Sequence, residues 1–445
     1  MRKFLSMVLA FCCAFSFVAC SGNEAASSSS STSTPEEVEP TRLGLYAGED
    51  GTLMKDGEPF YGFGVNYYGL INSSMGNDWT EKSLSELDVQ NSLKSMEVLA
   101  SYDVRVIRFN AGVYYGHEWQ YIIDGEERYF EVFDAVADKA AELNMGLIPC
   151  LFWGCVPDYY SEPMGASWRT DKSKTMKFIA SFTEKVVKRY AQHAGIYGWE
   201  FSNETNLVSD LDERSLAYMS EPRPDGTPRT SEDLITTEYY KNALNLFAET
   251  VKRFDPHKRI IGNGDAEARE EAYNLSQVKG WGKDTKAEHE AIIDLLSEDM
   301  TAISTHRYPG GASAVDAPKE LGQYLDCYHD WPTFMEYMVS QSKRAKKPVY
   351  LGETGFVYSD ARTRIPVESI MTVINEIVDA AVGAGMQLTL FWNYDHRSVY
   401  NESNVTDRFT GGTEHSWNEN WEKGAGILQA IKEGNQALDQ KYKNI

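Results

Sequence analysis

Eight short β-rich runs alternate with amphipathic stretches from residue 57 onward, and this alternation constrains the fold more than any other feature. Between the runs, apolar residues recur every three or four positions, as at Tyr240, Leu244, Phe247 and Val251. Such alternation predicts parallel strands joined by crossover helices. Because eight repeats can close on themselves, we predict an α/β fold, a (β/α)8 TIM barrel in one domain with long βα loops. The predicted strands are Phe60–Asn66, Val104–Asn110, Gly146–Phe152, Ile196–Phe201, Arg259–Asn263, Ala302–His306, Pro348–Gly352 and Gln387–Trp392.

The main rival architecture is an open, doubly wound sheet that binds a nucleotide. Such a sheet normally carries a glycine-rich phosphate-binding turn after its first strand. Here the segment Gly62–Tyr68 has no third glycine and ends in two tyrosines, where a pyrophosphate would have to lie. The sequence therefore disfavours a nucleotide site, and we predict no cofactor.

The first residues have the pattern of an export signal. A basic start leads into the apolar run Phe4–Val18, which is too short to span a bilayer, so we assign residues 1–19 to a signal peptide. The segment Phe17–Cys20 resembles a bacterial lipobox, with Phe17 at a position where Leu is usual. We therefore predict that Cys20 is lipidated and anchors the exported protein at the bacterial cell surface or outer membrane. The alternative is an ordinary signal with an incidental cysteine.

A tether follows the predicted anchor. Residues 20–42 include the Ser/Thr run Ser27–Thr34 and then a Pro-Glu-Glu segment, a composition that buries too little apolar surface to fold. Such a tether lets a domain reach a bulky partner from the membrane surface. We assign residues 43–445 to the barrel domain, which we expect to be a monomer.

Charge and cysteine content limit the partners. The formal charge is −23, which repels phosphate backbones, so we predict no nucleic-acid partner; a neutral polymer is permitted. Outside the signal and Cys20, the cysteines are Cys150, Cys155 and Cys327. Their spacing matches no zinc pattern, so we predict at most one disulfide and no metal site.

Polar and aromatic residues end most of the predicted strands. Because a TIM barrel places its site at the carboxyl ends of its strands, these residues are the candidate site. Glu204 and Glu353 are notable, since each lies in an otherwise apolar or aromatic segment, on strands four and seven, which can face each other across the barrel mouth. The strand-end residues are Arg108, Asn110, Trp153, Asn203, Glu204, His306, Tyr308, Glu353 and Trp392.

Two opposed carboxyls about 5 Å apart are the requirement for hydrolysing a glycoside with retention. Arg108 lies within an apolar strand, and a buried guanidinium needs a carboxylate partner, for which Glu353 is the candidate. That pairing would keep Glu353 ionised as a nucleophile, while Glu204 could hold the raised pKa of an acid/base. The alternative is that Arg108 forms a purely structural ion pair.

These motifs resemble glycoside hydrolase family 5, the cellulase and mannanase family, over roughly Gly57–Tyr442. Trp199–Glu204 resembles the family's strand-four acid/base segment, and Tyr350–Gly355 resembles its strand-seven nucleophile segment. The resemblance also covers Arg108, the His-x-Tyr pattern of His306 and Tyr308, and Trp392. It implies that Asn203 holds a sugar 2-hydroxyl, that His306 lines the site, that Tyr308 orients the nucleophile, and that Trp392 is a sugar platform.

Two positions depart from the family pattern. Trp153 stands where many of these cellulases have a histidine, which puts a standard cellulase subsite in doubt, and Thr205 replaces the usual proline. The insertion Leu207–Glu232 is expected to form a long loop over the cleft, with its acidic residues in solvent.

Taken together, the sequence favours an endo-acting retaining hydrolase of β-linked plant polysaccharide, of the endo-β-1,4-mannanase or endo-β-1,4-glucanase type. Mannan and glucan remain alternatives. An exo-acting β-glycosidase on oligosaccharides is a second hypothesis, and a non-catalytic carbohydrate-binding lipoprotein is a third. The third is disfavoured because binding alone does not require both Glu204 and Glu353.

Overall fold

The computed structural model describes residues 42–74, 86–153, 156–213, 223, 225–309, 320–325, 327–356, 367–398 and 416–443. The chain divides into two compact units, Met1–Pro40 and Thr41–Ile445, and everything described belongs to the second. The predicted signal peptide, Cys20 and most of the tether lie outside the described residues, as does Cys155, and stay predictions. Among the helices that are described, none is both long and apolar enough to cross a bilayer.

Parallel strands form the centre of the molecule, and helices surround them. The strands are β1 Tyr46–Ala47, β2 Leu53–Lys55, β3 Glu58–Pro59, β4 Gly62–Asn66, β5 Val106–Asn110, β6 Gly146–Phe152, β7 Gly198–Ser202, β8 Ile260–Gly262, β9 Ile303–His306, β10 Glu320–Tyr324, β11 Tyr328–Asp330, β12 Val349–Thr354 and β13 Leu388–Phe391. The helices are α1 Glu86–Ser101, α2 Trp119–Asp124, α3 Glu126–Glu142, α4 Val156–Tyr159, α5 Met164–Trp168, α6 Lys174–Tyr190, α7 Thr237–Phe254, α8 Ala272–Ser276, α9 Lys286–Leu296, α10 Trp331–Ala345, α11 Ile370–Ala384 and α12 Glu422–Tyr442.

The barrel is an eight-stranded sheet in the order β8-β7-β6-β5-β4-β13-β12-β9. Its two end strands are joined by backbone hydrogen bonds, because the Thr301 and Ala302 amides both donate to the Ile261 carbonyl at 3.1 Å. Each predicted strand overlaps an observed one, so the (β/α)8 prediction is confirmed. The strands that lead to the two candidate glutamates, β7 and β12, are three positions apart around this ring.

The helices pack on the barrel through the predicted apolar stripes. In α7, Tyr240, Leu244, Phe247 and Val251 are buried, and the Thr236 side chain caps the helix by accepting from the Tyr239 amide. Burying such side chains contributes roughly 1.5–3 kcal/mol each, so this face holds the helix against the strands.

The end of α7 is tied directly to the barrel. Asp255, the C-cap residue, accepts from the Trp199 indole at 2.7 Å and from Arg259 at 3.0 Å. A polar residue that ends a helix here therefore fixes the start of strands β7 and β8.

A small antiparallel sheet of β1, β2 and β3 was not predicted, and it closes one end of the barrel. Leu45 and Leu53 pack in one buried cluster with the barrel-interior residues Val106, Ile148 and Leu390. These short strands have too few residues to display a period of two, which is why the sequence pattern missed them. Since this plug lies at the amino-terminal end of the strands, the open mouth is at their carboxyl end.

Candidate active site

Arg108 lies at the centre of the candidate site, and its side chain is fully buried. Its Nε donates to Glu200 Oε1 at 2.6 Å, and its Nη1 donates to Glu353 Oε1 at 2.6 Å and to Asn66 Oδ1 at 2.9 Å. The remaining arm, Nη2, donates to Asn203 Oδ1 at 2.8 Å. The predicted pairing of Arg108 with Glu353 is confirmed, and the same guanidinium fixes the Asn203 side chain through its Oδ1 atom.

Glu353 reaches the mouth because β12 is irregular at this point. Tyr350 and Gly352 follow the inward alternation, but the register with β9 shifts between Leu351 and Glu353, which pairs Glu353 with His306. A β-bulge re-aims a side chain in this way. The predicted approach of Tyr308 is also confirmed, because its hydroxyl donates to Glu353 Oε2 at 2.8 Å.

Glu204 is presented by a strained turn just after β7. Its φ of 53° lies in the left-handed region that non-glycine residues rarely adopt, and its amide donates to the Gly264 carbonyl at 2.8 Å. Such strain is often found at functional sites. The Glu204 side chain is 30% exposed, whereas that of Glu353 is 5% exposed, so Glu204 is the more open of the two.

The two carboxylates and His306 form one cluster. One ligand atom from each of Glu204, His306 and Glu353 lies within 4.8 Å of the others. His306 Nδ1 is 3.0 Å from Glu204 Oε1 and 3.7 Å from Glu353 Oε2. The separation matches the roughly 5 Å that double displacement requires. Two carboxylates and an imidazole could also hold a cation, so the absence of a metal stays a prediction.

Burial controls the protonation of this cluster. It lowers the pKa of His306 to about 4, so the imidazole is neutral at pH 7. Desolvation raises the pKa of both Glu204 and Glu353. For Glu353 the rise is opposed by Arg108 and by the Tyr308 hydrogen bond and reinforced by the Glu204 charge, whereas for Glu204 it is opposed by Arg108. This asymmetry favours Glu204 as the proton donor.

Aromatic rings line the site as predicted. The Trp153 and Trp392 rings are tilted by 32° with centroids 5.7 Å apart, and Tyr68 packs edge-on against Trp153 at 5.2 Å. The Arg108 guanidinium lies 4.6 Å from the Trp153 centroid. Trp153 thus covers the buried cation, a contact that the sequence did not reveal.

Glu200, like Asn66, is a residue of the site to which the sequence analysis assigned no role. It is fully buried, and its second oxygen accepts from the Tyr350 hydroxyl at 2.5 Å. Glu200 is in register with Cys150 of the neighbouring strand β6, and both side chains lie inside the barrel. The available signal was the alternation in β7, which puts residue 200 on the inward face with residues 198 and 202.

The insertion after β7 and the cysteines were the subjects of two further predictions. In the insertion Leu207–Glu232 the expected solvated acids are confirmed where they are described, because Asp212, Glu213, Asp225 and Glu232 are exposed, whereas Asp210 is half-buried and accepts from the Thr237 hydroxyl at 2.5 Å. Residues 214–222 and 224 of this segment lie outside the described residues. Cys150 and Cys327 are free thiols, so they form no disulfide with each other.

Comparison with known proteins gives the fold. No family model and no curated sequence matches the chain. A family 5 glycoside hydrolase mannosidase from Rhizomucor miehei superposes with a TM-score of 0.59 at 14% identity, over 91% of this chain and all of that one. The chain shares the fold of a glycoside hydrolase. An endo-1,4-β-mannanase from the same organism has a TM-score of 0.57 at 15% identity, over 89% of this chain and all of that one. A β-glucosidase from Thermotoga maritima has a TM-score of 0.53 at 10% identity, over 84% of this chain and 98% of that one.

Proposed function

We propose that this protein is a retaining β-glycosidase, with Glu353 as the nucleophile and Glu204 as the acid/base. The observation that carries the proposal is the pair of carboxylates within 4.8 Å at the open mouth of the barrel, one held by Arg108 and Tyr308 and the other more exposed. A purely carbohydrate-binding protein would not need this pair. The structural likeness to a mannanase and a β-glucosidase supports the same reaction class.

The chemistry follows from the contacts. Ionised Glu353 attacks the anomeric carbon while protonated Glu204 donates its proton to the departing glycosidic oxygen, which breaks the glycosidic bond and forms a glycosyl ester. Glu204 then removes a proton from water, which attacks the same carbon and releases Glu353. Asn203 is oriented by Arg108 to hold the sugar 2-hydroxyl, and Trp392 with Trp153 supplies the apolar surface under the ring.

The proposed substrate is a β-linked plant polysaccharide, either a β-1,4-mannan or a β-1,4-glucan. The acidic chain and the aromatic site fit a neutral polymer. An exo-acting β-glycosidase is the second candidate, because one structural neighbour is a β-glucosidase.

A panel of soluble mannans and glucans with a reducing-sugar readout tests the proposal. We expect activity on one backbone, unchanged by a chelator, and its loss in Glu353→Ala. Azide or formate should restore part of the turnover in that variant, with inverted product, because a small anion occupies the space of the missing nucleophile. Activity that a chelator removes and one divalent ion restores would contradict the metal-free mechanism.

We propose further that Cys20 carries a lipid and holds the enzyme at the bacterial surface. The sequence of residues 17–20 and the Ser/Thr-rich tether support this. Metabolic labelling with a fatty acid should mark the wild-type protein and not Cys20→Ala. Equal labelling of both would contradict it.

A further inference from the structure

Exposed apolar side chains are unevenly distributed over the barrel. All the large ones among the described residues lie on connections that leave the carboxyl end of a barrel strand, after β5, β7 or β8. These connections surround the mouth that holds Glu204 and Glu353. Aromatic rings in these positions offer apolar faces to a ligand that extends out of the mouth. The side chains are Tyr114, Tyr115, Tyr121, Val208, Val278 and Trp281.

Tyr114 and Tyr115 form a fixed pair on the connection after β5. Each is 42% exposed, and their rings meet edge to face with centroids 4.9 Å apart. Both backbone amides donate to Glu118 Oε2, at 3.2 and 2.8 Å, and Glu118 itself is buried. The two rings are therefore held in place before any ligand arrives, which lowers the entropy cost of binding.

Trp281 projects from the connection after β8, and it is 53% exposed. The base of this turn is fixed, because Asp284 accepts from the Asn274 amide at 2.9 Å and the Asn274 side chain donates to the Gly282 carbonyl at 3.0 Å. Val278, at the start of the turn, has a φ of 56°, which is strained for a β-branched residue. An ordered, strained turn thus presents an indole to solvent.

The charge of this turn favours a neutral ligand. Lys279 and Lys283 flank Trp281, but Lys279 is paired with Glu288 at 3.3 Å and Lys283 with Glu270 at 2.5 Å. With its cations neutralised, the turn lacks the basic character that attracts anionic lipid surfaces. The flat rings of tyrosine and tryptophan suit the apolar faces of sugars instead.

We propose, building on the proposed function, that Tyr114 with Tyr115 and Trp281 form two sugar-stacking platforms on either side of the catalytic pair. Strands β5 and β8 are three positions apart around the eight-stranded ring, so their connections lie across the mouth from each other. A ligand that contacts both is an extended chain that passes over Glu204 and Glu353. The substrate is therefore a β-linked polysaccharide that is cleaved internally.

The test compares polymer and small-substrate kinetics in three variants. Tyr114→Ala/Tyr115→Ala and Trp281→Ala should each lower kcat/KM on the polysaccharide by about three- to tenfold, the value of one aromatic contact. Both should leave kcat/KM on an aryl β-glycoside within about twofold, since that substrate ends near the cleavage point. Tyr102→Ala, whose folding is checked by thermal unfolding because Tyr102 is half-buried against the core, is the control at the opposite end of the barrel. The Tyr102→Ala variant should change kcat/KM on neither the polysaccharide nor the aryl β-glycoside.

Two outcomes overturn the proposal: polymer kinetics unchanged in both platform variants, or an equal loss on the aryl glycoside. A binding experiment separates failure of the platform proposal from failure of the catalytic proposal. Inactive Glu353→Ala should be retarded in gels that contain soluble mannan or glucan, and adding either platform change should reduce the retardation. If wild type cleaves neither substrate, the proposed function fails. The gel retardation still tests whether the two platforms bind the polysaccharide.

Discussion

At the residue scale, one buried cation shared by two carboxylates organises the site. Burying Arg108 is costly unless every arm is satisfied, and here Glu200, Glu353, Asn66 and Asn203 satisfy them. The pairing with Glu353 followed from the sequence, because a charged residue inside an apolar strand requires a partner. The same reasoning applied to Glu200, an acid inside the apolar strand β7, but only the closed barrel shows that its partner is Arg108.

Glu200→Gln tests this sharing. With one anion removed, the charge of Arg108 acts on Glu353 alone, so the pKa of Glu353 should fall and the acidic limb of kcat/KM should move to lower pH by about one unit. Tyr350→Phe, which removes the other hydrogen bond on Glu200 without changing charge, should leave the limb in place. An acidic limb that stays fixed or moves upward in Glu200→Gln would refute the sharing.

At the element scale, the eight strands were predictable and the local distortions that aim the catalytic groups were not. Alternating apolar runs set the strands, and Arg108 and Trp392 fall where the pattern placed them. The register shift in β12 and the left-handed turn at Glu204 depend on contacts with neighbouring strands. Such contacts are not encoded in any local period. The strands β10 and β11, which form a separate two-stranded sheet, also escaped prediction.

Gly264→Ala tests the turn that holds Glu204. A Cβ at this position would lie 1.7 Å from the Ser202 carbonyl oxygen, and φ is +77°. We expect a loss of about 3 kcal/mol or more in the free energy of unfolding, together with a lower kcat, because the Gly264 carbonyl binds the Glu204 amide. Gly226→Ala has a similar φ of +83° with nothing within 4 Å, so it should cost only about 1 kcal/mol and spare activity. If urea unfolding shows equal losses of stability for Gly264→Ala and Gly226→Ala, the clash with the Ser202 carbonyl is not what destabilises Gly264→Ala.

At the scale of the whole molecule, the barrel is plugged at one end and carries buried acids at the other. Asp265, just beyond β8, is buried and accepts from the Tyr240 hydroxyl at 2.7 Å and from the Asn263 amide. Burial raises the pKa of Asp265 to about 7. The folded state therefore holds a proton that the unfolded chain loses near pH 4.

This proton makes stability depend on pH. Because the pKa of Asp265 is higher in the folded state than in the unfolded chain, protonated Asp265 stabilises the fold fully below about pH 4. This stabilisation is lost as pH rises towards 7. From pH 4 to 7 wild type should lose up to about 4 kcal/mol relative to Asp265→Asn, whose amide does not titrate. Urea unfolding of both proteins across this range measures the difference. Parallel stability curves would show that Asp265 titrates normally.

Double displacement by Glu353 and Glu204 sets the anomeric configuration of the sugar product. Proton NMR of the sugar first formed from an aryl β-glycoside measures this configuration, which is set when water attacks the glycosyl ester. The separation within 4.8 Å leaves no room for a water between nucleophile and sugar, so we expect the β-anomer first, with the α-anomer appearing later by mutarotation. The α-anomer as the initial product would contradict double displacement.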